Sequence, residues 1–135
     1  MLLPVATASA AGASISMVAN KATVSAGSSL VVAVYINGGG TPLNAIQVDL
    51  NYPASKLQYV GVNFSGGAFE IGAAAGGGNG AVSIARGTTS TISGSALVGT
   101  VTFKALASSG SATIGVSTSS SLVSPNNPTA SIPYY

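Results

Sequence analysis

The sequence predicts an all-β fold, an antiparallel β-sandwich of the jelly-roll or immunoglobulin-like kind, and three observations predict it. Apolar and polar residues alternate with period two, which puts every second side chain on the same face of a strand. No window of helical length carries an apolar stripe opposite a polar one, which excludes the parallel βαβ architectures that need helices. About eight or nine short alternating runs are separated by Gly, Pro, Asn and Ser clusters, the spacing of sandwich strands. The 135 residues suit one domain, and their 47% hydrophobic content leans on Ala and Val, with three Phe and five Tyr for bulk. Small β-branched side chains fill a thin core, as two stacked sheets require.

Ser14 to Asn20 reads as a first strand with Ile15 and Met17 on one face. A turn through Ala26, Gly27, Ser28 and Ser29 leads to Leu30–Asn37, where Leu30, Val32, Val34 and Ile36 form a core face. Val31, Ala33 and Tyr35 are apolar enough to suggest partial cover on the other face, so this is a central strand. After the break at Gly38 to Pro42, Ile46, Val48 and Leu50 alternate with Gln47, Asp49 and Asn51, giving one dry and one wet face. Pro53 suits the first turn of a helix, which predicts one helical turn over Tyr52 to Lys56 before a strand over Leu57 to Val62. Phe69 to Ala73 reads as a short edge piece, and the glycine-rich run that follows reads as a flexible loop. Asn79-Gly80 is a type I′ turn dipeptide leading into Ala81 to Arg86, with Val82 and Ile84 inward. Ala96 to Ala105 places Leu97, Gly99, Val101, Phe103 and Ala105 on one side, and Ala112 to Val116 forms another strand around Ile114. Pro125 to Pro128 reads as a turn, with Ala130 to Pro133 as a last short strand.

The chain holds four Lys or Arg, two Asp or Glu, and no His, Cys or Trp. Enzymes take their proton carriers, nucleophiles and metal ligands mainly from these residue types, so the composition argues against catalysis. No cofactor is expected. Four scattered cations cannot neutralise a run of phosphates, which excludes nucleic acid as a partner. No run approaches the ~18 apolar residues of a membrane helix. A surface of Ser, Thr, Gly and Asn with little charge points to a secreted or cell-surface setting. Met1 to Ala13, ahead of a domain spanning residues 14–135, reads as a signal remnant, a linker or a donated strand. In the last case Leu2, Leu3 and Val5 would be its assembly residues.

Further along, the order of motifs is familiar. Tyr52-Pro53-Ala54-Ser55-Lys56-Leu57 follows the strand Leu43 to Leu50. Gly80-Ala81-Val82-Ser83-Ile84-Ala85 comes next, and then Gly94 to Ala105 with Leu97, Val101 and Phe103. Over roughly Ser14 to Ile132 the chain resembles the cohesin-like domains of bacterial extracellular proteins. It departs from them in lacking the Asp of their Tyr-Asp-Pro, since Tyr52 runs directly into Pro53. The resemblance implies a nine-stranded jelly roll that recognises protein, in cellulosomes a calcium-loaded dockerin, through a polar sheet face. The corresponding residues are Gln47, Asp49, Asn51, Ser83 and Ala85. The expected partner is a dockerin-like protein or a second copy of the chain. A subunit of a surface filament and a carbohydrate-binding module are the alternatives, the second resting on the tyrosines as stacking platforms.

The remaining motifs have plain readings. Gly76, Gly77, Gly78 and Gly80 lack the helix and the Lys-Ser/Thr pair of a phosphate loop. Asp49 and Glu70 are the only carboxylates, and a glycosidase would need them about 5 to 9 Å apart across a sugar. Two acids fall short of the ligand set that calcium demands. Lys21 with Asp49 or Glu70 and with Asn126 or Asn127 supplies the residue types of an isopeptide crosslink.

Overall fold

Alternation decides the layers. The computed structural model describes residues 8–9, 13–106, 110–117, 119–124 and 127–132. Among these the chain forms β1 (Ala8–Ser9), β2 (Ser14–Ala19), β3 (Ser29–Asn37), β4 (Leu43–Asn51), β5 (Leu57–Asn63) and β6 (Ile71–Gly78). It continues with β7 (Ala81–Ile92), β8 (Ser95–Ala105), β9 (Gly115–Val116), β10 (Ser121–Ser124) and β11 (Asn127–Ile132). One sheet runs β1-β2-β3-β8-β5 and the other β11-β10-β4-β7-β6, with β9 also pairing β4. Every pairing is antiparallel. The two sheets form a β-sandwich of jelly-roll type. Leu2, Leu3 and Val5 lie outside the described residues, while Ala8 and Ser9 pair with Ile15 and Ser14 of the same chain.

The inner faces follow the sequence pattern. Leu30, Val32, Val34 and Ile36 are sealed from solvent on β3, as are Val48 and Leu50 on β4 and Val82 and Ile84 on β7. Phe69 and Phe103 are the largest of the fully buried side chains, and Phe103 packs its ring at 5.0 Å, tilted, against Tyr52.

The turn expected after Pro53 forms as a single turn that does not continue: the Pro53 carbonyl accepts from both Lys56 N and Leu57 N at 3.0 Å, the second an i→i+4 bond, and Leu57 is at once taken into β5 opposite Ala105. Three details differ from the sequence reading. In β8 the inward phase switches partway. Val34 pairs with Gly99 but Tyr35 with Leu97, so Val98 is bulged and fully buried while Leu97 is only half-buried. One extra residue in a strand reverses which side chains face in on either side of it. Residues 112–113 stay outside any strand, leaving only the two residues of β9. The last strand begins at Asn127 instead of Ala130.

The largest departure is β6. The run Ile71–Gly78, expected mainly as a loop, is an edge strand paired with β7 from Ile71↔Gly87 to Gly78↔Ala81. Intrinsic strand preference is poor for glycine, but cross-strand pairing and the turn decide here. Asn79 and Gly80 take φ of 55° and 88°, the two positive values that a type I′ hairpin demands. At Gly77 a Cβ would stand 2.9 Å from Tyr59 Cδ1, so the absence of a side chain lets the β5 tyrosine lie on the β6 backbone.

Candidate functional site

The outer face of the second sheet assembles the residues singled out in the sequence. Register alone brings them together, because Gln47 lies opposite Ala85 and Asp49 opposite Ser83, while Asn51 pairs with Ala81. Side chains directly opposite each other across antiparallel strands point to the same face. Gln47, Asn51 and Ser83 are exposed, and Asp49 and Ala85 are partly so.

Asp49 is the hub. Its Oδ1 accepts from Ser83 Oγ at 2.6 Å, and its Oδ2 accepts from Ser119 Oγ at 2.6 Å and from Gln47 Nε2 at 3.1 Å. The backbone of the same residue donates from N to Ser120 Oγ at 2.8 Å. Its carbonyl accepts from Ser117 N at 2.7 Å and from Ser120 Oγ at 3.1 Å. Partial burial acts to raise the carboxyl pKa, and the hydrogen bonds from Ser119, Ser83 and Gln47 outweigh it, so the group titrates below the usual aspartate range. The result is a carboxylate fixed in place by neutral donors. Ser117, Ser119 and Ser120 were not legible as part of this site, because they are some seventy positions from Asp49 in the sequence and carry no local motif.

Beside this polar centre lies an apolar depression of about 300 Å³, lined by Ala45, Ile71, Ala85 and Val123 with Gln47 and Ser121 at its polar margin. Ile71 is 47% exposed, a large aliphatic side chain in contact with water on an otherwise small-residue strand. The wet face therefore carries a polar cluster and an apolar depression side by side.

The second carboxylate stands elsewhere. Between Leu43↔Ile92 and Ala45↔Gly87 the β7 chain carries several extra residues, and Thr88 and Thr89 from this excursion bind Glu70. Its Oε1 accepts from Thr89 N at 2.8 Å and from the Thr88 and Thr89 hydroxyls at 3.0 Å. The backbone donor of Thr89 leads in pulling the Glu70 pKa down to about 2. Asp49 is tied to Ser83, and Thr88 comes five residues further along the same strand, roughly 16 Å at ~3.3 Å per residue. The two acids thus serve separate hydrogen-bond clusters and do not form a catalytic pair.

Arg86 is also committed. Its guanidinium carbon lies 3.9 Å from the Phe64 ring centroid and its Nε donates to the Phe69 carbonyl at 2.9 Å. Gly72 leaves room for it, since a Cβ there would stand 2.7 Å from Nη1. Lys21 Nζ donates to the Ser29 carbonyl at 3.1 Å. Asn126 and the side chain of Asn127 lie outside what the structure describes, so the crosslink pattern stays an expectation from residue types. Among the described residues no three His, Cys, Asp or Glu gather as a metal site. No described helix is long and apolar enough to cross a membrane.

Comparison with known proteins agrees with this architecture. The family described as "Cohesin domain" matches residues 15–134. Among solved structures, the cohesin module of a Clostridium perfringens family 33 glycoside hydrolase superposes with a TM-score of 0.72 at 13% identity, covering 93% of each chain. The sixth cohesin of Acetivibrio cellulolyticus scaffoldin B, solved in complex with a Cel5 dockerin, gives 0.67 at 16% identity, covering 89% of this chain and 94% of that one. A type II cohesin domain from the cellulosome of the same organism gives 0.63 at 18% identity, covering 96% and 94%. No curated relative matches the sequence.

Proposed function

The chain belongs to the cohesin domain family, and from that premise we propose that it is a non-catalytic recognition module that binds a dockerin-like protein outside the cell. The outer face of β4 and β7 is its contact surface. The observation that carries this reading is the Asp49 cluster. A carboxylate held by three side-chain donors, at the centre of a wet sheet face and next to an apolar depression, is a preorganised polar anchor with a greasy neighbour. Binding to such a surface loses little side-chain entropy, because the anchor is ordered beforehand. Gln47, Asn51 and Ser83 supply the polar rim, and Ala85 is small enough to admit a partner side chain.

The solved relative in complex with a Cel5 dockerin supports the choice of partner class. The secreted or surface setting rests on the nearly charge-free composition. The test is capture of dockerin-bearing proteins on the immobilised domain, with and without calcium, followed by calorimetry on the captured dockerin. Retention of a dockerin in calcium, its release by chelator, and a loss of at least about tenfold in affinity for Ala85→Arg are the expected results. Undiminished affinity in Ala85→Arg, with the fold intact, would move the contact surface elsewhere.

A further inference from the structure

A second concavity opens on another side of the molecule, where β5 meets the tip of the β6–β7 hairpin. It has a volume of about 330 Å³, at the lower end of the roughly 300–1,000 Å³ of small-molecule pockets. Tyr52, Gln58, Tyr59, Gly78, Asn79 and Leu106 line it, and it shares no residue with the depression on the outer face. We infer that this cleft is a binding subsite for a neutral saccharide.

Charge comes first. No lining residue carries a charge, so the cleft offers nothing to an anionic or cationic ligand that would repay its desolvation. The lining has two characters at once. Tyr59 and Leu106, the latter 48% exposed, present apolar surface. Gln58 and Asn79 are exposed and present carboxamides, each able both to donate and to accept. A pyranose has the same division, with C–H groups on its faces and hydroxyls, both donors and acceptors, around its rim. Neither carboxamide makes a side-chain hydrogen bond to another described residue, so both are available to such hydroxyls.

The cleft is also built in advance. The Tyr59 ring lies on the backbone at Gly77, where a Cβ would be 2.9 Å from Cδ1 and 3.0 Å from Cγ. Tyr52 is held by its packing on Phe103 and by its N–H, which donates to the Gly80 carbonyl at 2.9 Å. The backbone of Asn79 is fixed by the left-handed conformation of the hairpin turn. Rings held this way have little freedom left to lose when a ligand arrives. The site is independent of the β4–β7 protein face, so the module could hold a glycan and a protein at the same time.

Native gels cast with hydroxyethylcellulose, xyloglucan, galactomannan or a β-1,3-glucan test the inference, with alginate as the anionic control. The expected result is retarded migration in at least one neutral gel. Retardation should weaken at least about tenfold in the double variant Gln58→Ala with Asn79→Gly, which removes both carboxamides while glycine preserves the turn. Thermal unfolding of the variant verifies that it is folded, and Tyr59→Phe, which keeps the ring, should retain most of the binding. Unretarded migration of the wild-type protein in every neutral gel would overturn the inference. So would equal retardation of the double variant, or retention in alginate as strong as in the neutral polymers.

Discussion

At the scale of single residues, the two carboxylates show how a chain with little charge uses it. Asp49 is satisfied by hydroxyl and carboxamide donors and Glu70 by hydroxyl and backbone donors, and among the described residues no cation pairs with either. Glu70, held down to about pKa 2 from the 4.5 of a free glutamate, makes stability fall as the solution is acidified. Below the free value the unfolded chain takes up a proton that the folded chain refuses, so the contribution is complete above about pH 4.5 and lost as pH falls towards 2. Unfolding midpoints measured between neutral pH and pH 2 should decline for the wild type and decline less steeply for Glu70→Gln. A second residue-scale test concerns Gly99, where a Cβ would stand 2.8 Å from the Asn63 carbonyl oxygen and 2.9 Å from Phe64 Cδ1. Gly99→Ala forces backbone or ring to move and should cost about 1–3 kcal/mol in denaturant titration, the range of overpacking.

At the scale of elements, β6 makes the sharpest prediction. Gly76 and Gly77 are neighbours in one strand, yet a methyl group at Gly76 meets nothing within 4 Å and one at Gly77 meets the Tyr59 ring. Gly76→Ala should therefore be neutral or slightly stabilising through the unfolded chain, and Gly77→Ala should destabilise and disturb the saccharide cleft. Measuring both side by side separates strand propensity from packing. The same strand marks where the sequence stops being legible. The alternating runs of β3 and β4 declared both their existence and their inward faces, because burial on one side only leaves a period-two record. The wet face of β4 was legible for the same reason, and with it Gln47, Asp49 and Asn51. Only the start of β6 was legible, as the edge piece ending at Ala73, since the Gly and Ala that follow do not distinguish inside from outside. The bulge at Val98 was equally silent, as Leu97 and Val98 are both apolar and only pairing with β3 selects between them. Ser119 and Ser120 reach Asp49 through the closing of the second sheet, a long-range event without local trace.

At the scale of the whole molecule, stability rests on the two-sheet core and hardly on electrostatics. Phe103→Ala, at a side chain with no exposure, should cost about 3–5 kcal/mol. Raising NaCl from about 10 mM to about 1 M, which shortens the screening length from about 30 Å to about 3 Å, should leave the unfolding midpoint nearly unchanged. Pairings such as Gln47↔Ser121 join residues far apart in sequence, so refolding should take milliseconds to seconds, as in other sandwiches of non-local topology. The position of β4 has a mechanical consequence. It has β7 along one side and β9 and β10 along the other, and Asp49 sits between the stretch that pairs with β10 and the stretch that pairs with β9. A partner tugging at Asp49 would load an interior strand, and withdrawing it lengthwise means shearing two ladders at once. The grip is seated where the molecule is hardest to unzip, as suits a coupling that must bear tension.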